Sequence, residues 1–177
     1  MQDALFKVCI FGDGGVGKTC LVNRYLTGLF KTDTSITIGV DFSLKRLDIE
    51  GKKIMLQIWD FAGEDRFRFL LPSYANGASG GIYMFDITRN TSLNNLSDWL
   101  EVFRKGANDN KNEIPIMMVG GKVDLNDRRS VFSIEAVNLA KNYSLFDYIE
   151  CSAKTGQNIE IIFYKIARFL SEKAQII

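Results

Sequence analysis

Gly12 to Thr19 reads GDGGVGKT, a G-x-x-x-x-G-K-[ST] match lying between an apolar run and a helical pattern. Polyanions need several N–H donors pointing inward, and a backbone lacking Cβ curls tightly enough to supply them. Gly12, Gly14, Gly15 and Gly17 permit that curl, and a following helix adds the partial positive charge of its N-terminus. Lys18 is placed to reach the outer phosphates of a nucleotide, and Thr19 to ligate Mg²⁺ through its hydroxyl. The motif alone fits kinases, ATPases and GTPases alike.

A second stretch, WDFAGEDRF (Trp59 to Phe67), has the form of a loop that senses a phosphate. Further along lie GGKVD (Gly120–Asp124) and CSAK (Cys151–Lys154). The 177 residues contain no histidine, so any proton transfer falls to carboxylates, hydroxyls, water or the substrate.

The elements that must position these residues alternate. Strands are expected at Leu5–Phe11, Val40–Ile49, Lys53–Asp60, Gly81–Ile87, Ile114–Gly120 and Tyr148–Cys151. Helical stripes join Leu21, Val22, Tyr25 and Leu26; Leu93, Leu96, Leu100, Phe103 and Ala107; and Ile159, Ile162, Phe163, Ile166 and Leu170. A further helix is expected over Ser133–Lys141 with Ser133 as its N-cap. Such alternation implies an α/β fold with a six-stranded, mostly parallel sheet covered by helices on both faces. The short Glu50-Gly51-Lys52 turn allows only an antiparallel hairpin, making one edge strand antiparallel. An open sheet of this kind binds ligands at the carboxyl ends of its strands, where the motifs fall.

Length fits one domain, 1–177. Lys plus Arg (22) nearly balance Asp plus Glu (21), which argues against a nucleic-acid partner. Cys9, Cys20 and Cys151 lie in or beside apolar runs without metal-ligand spacing, and read as buried reduced thiols of a cytoplasmic protein. The first residues lack the form of a signal peptide or membrane helix.

Taken together, GDGGVGKT, IGVDF (Ile38–Phe42), LQIWDFAGEDRFR (Leu56–Arg68), SYANGAS (Ser73–Ser79), IYMFDIT (Ile82–Thr88), KVD and CSAK resemble the Ras superfamily of small GTPases, most closely its Rab branch. The resemblance implies a P-loop G domain that binds GTP or GDP with Mg²⁺ and acts as a slow GTPase. It implies that Gly14, Gly15, Val16, Gly17, Lys18, Thr19 and Cys20 hold the phosphates. Thr37 would join Thr19 on Mg²⁺, with Asp60 holding the ion through water, and Gly63 N–H would touch the γ-phosphate. Phe30 would lie against the base, Lys122 would stack on it, and Asp124 would accept from its N1 and N2 donors. Ser152, Ala153 and Lys154 would complete the guanine pocket. Effectors would read loops 32–42 and 61–77, and an exchange factor and a GTPase-activating protein would act on a monomer. The prenylated cysteine tail of the family is not in this sequence; membrane contact would need one.

Two positions depart from the family pattern. Gly121 stands where the base-reading motif has asparagine, a change that loosens nucleotide binding by about 1 kcal/mol per lost hydrogen bond. Glu64 stands where glutamine would orient water; among the catalytic set Glu64, Lys18, Thr37 and Gly63, it alone brings a charge that repels phosphate. At about 5 Å that repulsion is roughly 3 kcal/mol for an effective dielectric near 20. An ion pair of Glu64 with Arg68, one turn on, is the simpler role. Gly14 leaves room above the γ-phosphate for a partner's arginine, and no sequence motif marks a built-in one. Three readings follow: a GTP/GDP switch, a nucleotide-locked scaffold, or a metabolic kinase, which would need an arginine-rich lid not evident here.

Overall fold

The computed structural model describes residues 2–32 and 36–177. Six strands form one sheet: β1 (Ala4–Phe11), β2 (Val40–Ile49), β3 (Lys52–Phe61), β4 (Gly80–Asp86), β5 (Ile116–Gly121) and β6 (Asp147–Glu150). Their order is β2-β3-β1-β4-β5-β6; β2 runs antiparallel to β3 and every other pairing is parallel. The fold class is the one the sequence implies. Central strands read as unbroken apolar runs because both faces are covered; β4 is buried along its whole length.

The helices are α1 (Lys18–Thr27), α2 (Leu70–Ala75), α3 (Asn90–Asn94), α4 (Leu96–Gly106), α5 (Ser133–Asn142) and α6 (Ile159–Lys173). One core gathers α1 and α6 against Val8, Ile10 and Ile58. The other gathers α2, α4 and α5 against Cys9, Phe11 and Phe85. Adjacent residues of β1 thus feed opposite cores, as the two-residue period of a strand requires.

Three local expectations change. The β2–β3 turn is the two residues Glu50 and Gly51, with φ of 51° and 82°, so Lys52 joins the strand. Paired positive φ angles match the twist of the flanking strands. The Leu93–Ala107 stripe is broken at Asn95 (ψ 4°), whose side chain leaves the helix to bond elsewhere. Ser133 does not cap α5: Phe132 occupies that position, and the Ser133 hydroxyl lies 2.7 Å from Glu150 Oε1.

Gly106 ends α4 where it crosses α2, and a Cβ there would stand 2.3 Å from the Pro72 Cα. Gly106→Ala must separate the two helices, and is expected to destabilise the chain by about 1–3 kcal/mol in urea unfolding.

Candidate functional site

The cradle leaves the end of β1 at the centre of the sheet. Gly12, Gly15 and Gly17 adopt φ of 142°, 73° and 106°, and a Cβ on Gly12 would stand 2.2 Å from the Met84 carbonyl oxygen. Gly14 does not share the left-handed backbone; it is glycine at a contact, where a Cβ would meet Glu64 Cγ at 3.6 Å. Lys18 opens α1 and is buried, its Nζ donating to the Gly12 and Asp13 carbonyls at 2.8 Å each. Burial pushes its ammonium down to about 8, against the pull of Asp60 and Asp13. The Asp13 carboxylate accepts from Trp99 Nε1 and Asn95 Nδ2 at 2.8 Å each, fastening the cradle to α4.

Two loops converge on it. Thr37 and Thr19 hydroxyls lie 2.6 Å apart, and Thr19 donates to Asp60 Oδ2 at 2.5 Å. With its proton on Asp60, Thr19 receives one from Thr37. The other carboxylate oxygen, Asp60 Oδ1, is buried with no hydrogen-bond partner among the described residues, and burial raises the Asp60 carboxyl to about 6. Two hydroxyls and a carboxylate with a spare oxygen are the hard oxygen donors that Mg²⁺ takes. Among the described residues no cluster of three or more His, Cys, Asp or Glu offers a different metal site. Gly63 lies directly on the cradle; a Cβ there would be 2.3 Å from Asp13 C and Gly14 N.

Glu64 pairs with Arg66 Nε at 2.6 Å rather than with Arg68. The reason is local. Glu64 has extended backbone ahead of a 3₁₀ turn at Asp65–Phe67, so no α-helical turn brings residue 68 over it. Arg68 instead pairs with Asp65 at 3.2 Å and stacks on the Trp99 ring at 4.4 Å.

Gly14, Gly15, Gly17, Lys18, Thr19, Cys20, Ile36, Thr37, Phe61, Gly63, Glu64 and Lys122 line one cavity of about 550 Å³. Cys20 is therefore half-buried at the site, unlike the buried Cys9 and Cys151. Val16 is buried behind the cradle, in the core.

The base-side residues form a second group. Lys122 Nζ donates to the Gly15 carbonyl at 2.8 Å and pairs with Asp86 at 2.7 Å. Burial would raise the Asp86 carboxyl, but Lys122 and Thr88 outweigh it and hold it below the usual range. Ser152 donates to Asp124 Oδ1 at 2.6 Å, joining the KVD and CSAK loops. Ala153 packs at the core margin, Lys154 is exposed, and Phe30 is exposed after α1 without lining the cavity. Beneath both loops, Arg129 grips Glu150 with bonds of 2.8 and 2.7 Å. That grip holds the Glu150 carboxyl down at about 2 despite partial burial.

Gly121 has a steric reason. A Cβ there would stand 2.5 Å from Met84 Cε and 3.2 Å from the Val16 carbonyl oxygen. Met84 Cε is the free end of a flexible side chain and can swing aside, so the fixed neighbour is the Val16 carbonyl, and the link from this loop to the cradle runs through Lys122.

The model of the Ras family matches residues 7–172. This chain belongs to the Ras family. It is 40% identical over 172 residues to "Ras-related protein RAB1BV" of Beta vulgaris, covering 97% of this chain and 78% of that protein. It is 39% identical over 171 residues to "Ras-related protein Rab-8B" of Bos taurus, covering 97% and 81% respectively. A small GTPase acting as a molecular switch follows from this membership, and the kinase reading loses its ground. Asp13, Asp86, Arg89, Asn95 and Trp99 were not singled out from sequence; Asp13 and Asp86 lie inside quoted motifs but had no role there, and only tertiary structure gives them and the other three their partners around the cradle of this small GTPase.

Two outcomes are expected. Gly121→Asn should slow nucleotide release about fivefold, the amide restoring a hydrogen bond worth about 1 kcal/mol while Met84 swings aside, as stopped-flow dissociation of fluorescent GDP would show. Glu150→Gln separates from wild type in a pH-dependent way. A carboxyl held below its unfolded value stabilises the fold above about 4.5, and that stability is lost as pH falls toward about 2. Urea unfolding should therefore show a wild-type advantage at pH 7 that shrinks by pH 3.

Proposed function

We propose that this chain cycles between GTP and GDP, hydrolysing GTP slowly with Mg²⁺ as a single domain over 1–177. The observation that carries the reading is the Thr37–Thr19–Asp60 hydroxyl chain ending in an orphaned buried carboxylate oxygen. Thr19 and Thr37 would hold Mg²⁺, Asp60 through water, and Lys18 with Gly14, Gly15, Val16, Gly17 and Cys20 the phosphates. Gly63 N–H and Thr37 would both answer to the γ-phosphate, so its loss frees two loops at once. Asp124 accepts from donors that guanine has and adenine lacks, with Lys122, Phe30, Ser152, Ala153 and Lys154 around the base.

Effectors would read loops 32–42 and 61–77; residues 33–35 lie outside the described residues. Likeness to Ras-related proteins supports exchange and GTPase-activating partners of a monomer, and a trafficking role in which a lipidated tail would provide membrane contact from the cytoplasm. Among the described residues no helix is long and apolar enough to cross a membrane.

Single-turnover conversion of GTP, with excess ATP present, tests the reading. Conversion should be slow and abolished by Lys18→Ala; GTP left intact for hours would favour the locked scaffold. Glu64 is neutralised by Arg66, so Arg66→Ala should expose the carboxylate to the phosphates. Its preference for GTP over GDP should fall about three- to tenfold, within the roughly 3 kcal/mol of unscreened repulsion, and recover on adding Glu64→Gln. Competitive binding of the two nucleotides measures it.

A further inference from the structure

Arg89 belongs to no motif, yet its side chain reaches the cradle at Gly14. It stands between β4 and α3 with a fixed backbone. Its N–H donates to the Asp86 carbonyl at 3.0 Å, and its own carbonyl accepts from Ser92 N–H and hydroxyl at 3.0 and 2.6 Å. From that anchor the side chain crosses to the cradle, and Nη2 donates to the Gly14 carbonyl at 2.7 Å. A Cβ on Gly15 would stand 3.8 Å from Nη1, so the guanidinium lies against two residues that line the cavity. Its charge is felt inside: after burial, Arg89 adds to the lowering of the Lys18 ammonium.

A simple clamp on Gly14 explains this poorly. Arg89 is exposed, and water would satisfy the same carbonyl. A guanidinium carries five N–H donors, and among the described residues its side chain meets one acceptor. The remaining donors and a permanent charge are left beside Gly14 and Gly15, which line the cavity, on the peptide unit that also borders Glu64.

We propose that Arg89 is a resident arginine for phosphoryl transfer, occupying the approach beside Gly14 through which a partner's arginine would otherwise enter. The proposal rests on the GTPase reading above. In hydrolysis the water oxygen bonds to the γ-phosphorus as the bond to the β–γ bridging oxygen breaks. The electron pair stays on that oxygen of GDP, and the water's protons leave with phosphate. Charge gathers on the bridging and γ-oxygens, and a guanidinium neutralises it without giving up a proton. The chain would therefore need less help from an activating partner than Glu64 alone suggests.

The test uses the whole chain and Arg89→Ala, Arg89→Gln and Arg89→Lys. Glutamine can still donate to Gly14 but carries no charge. Affinity for fluorescent GDP is measured with and without aluminium fluoride, which mimics the transferred phosphoryl group, alongside single-turnover hydrolysis. Wild type is expected to form the aluminium fluoride adduct without a partner. Alanine and glutamine variants should lose tenfold or more in adduct affinity and rate while GDP affinity falls less than threefold; lysine should lie between. Equal weakening of GDP and adduct would reduce Arg89 to a structural clamp and overturn the proposal, as would glutamine matching wild type. Wild type that binds GDP but forms no adduct overturns it while leaving the GTPase reading standing. Failure to bind any guanine nucleotide would remove both.

Discussion

A buried ammonium governs this molecule. Lys18 has been taken out of water, and an isolated charge in that position would be prohibitively costly. It is tolerated because the Gly12 and Asp13 carbonyls turn toward it and the Asp60 carboxylate stands near. Those demands shape the surroundings: the loop must curl through left-handed backbone that only glycine adopts readily, and β3 must end where Asp60 faces α1. The arrangement is a set of charges waiting for an anion and a dication. Lys18 is pushed down and Asp60 up, each toward its neutral form, and a nucleotide with Mg²⁺ would reverse both.

The same economy of space explains how residues of two separate loops meet one cradle. Gly63 approaches the cradle backbone more closely than any Cβ allows, while Thr37 arrives through a hydroxyl. One contact is steric and presses on the peptide units around Asp13 and Gly14; the other is a hydrogen bond to the Thr19 hydroxyl at the start of α1. Asp13 in turn is gripped by Trp99 and Asn95 of the opposite core. The cradle is thus held from the sheet, from α1 and from α4 at once.

Much of this was legible in the residue order. The cradle is contiguous, so its glycines and Lys18 announce themselves. Alternating apolar runs gave the strands, because buried parallel strands have little choice of composition. What escaped depends on distance or on small backbone choices. Asp13 and Trp99 lie 86 positions apart, Arg89 and Gly14 lie 75, and no local pattern marks either pair. The Glu64–Arg68 pair presumed a helical turn that the extended Glu64 backbone denies. Asn95 breaks a stripe whose apolar spacing runs straight through it, since a side-chain bond to Asp13 outweighs helix continuity. The crowding of Gly121 by Met84 Cε and the Val16 carbonyl likewise joins residues far apart in the chain.

The two indoles occupy telling places. Trp99 is wedged between Arg68 of the 61–77 loop and Asp13 of the cradle. Trp59 lies against Phe42, the last residue of the 32–42 loop, and Tyr74 of the 61–77 loop. They are the only two tryptophans in the chain. Indole emission responds to a neighbouring guanidinium, carboxylate or ring, so each conformational state should carry its own intrinsic colour and lifetime. Any rearrangement of these loops would thus be written into the native fluorescence, one indole reporting from the cradle and the other from beside Phe42 and Tyr74.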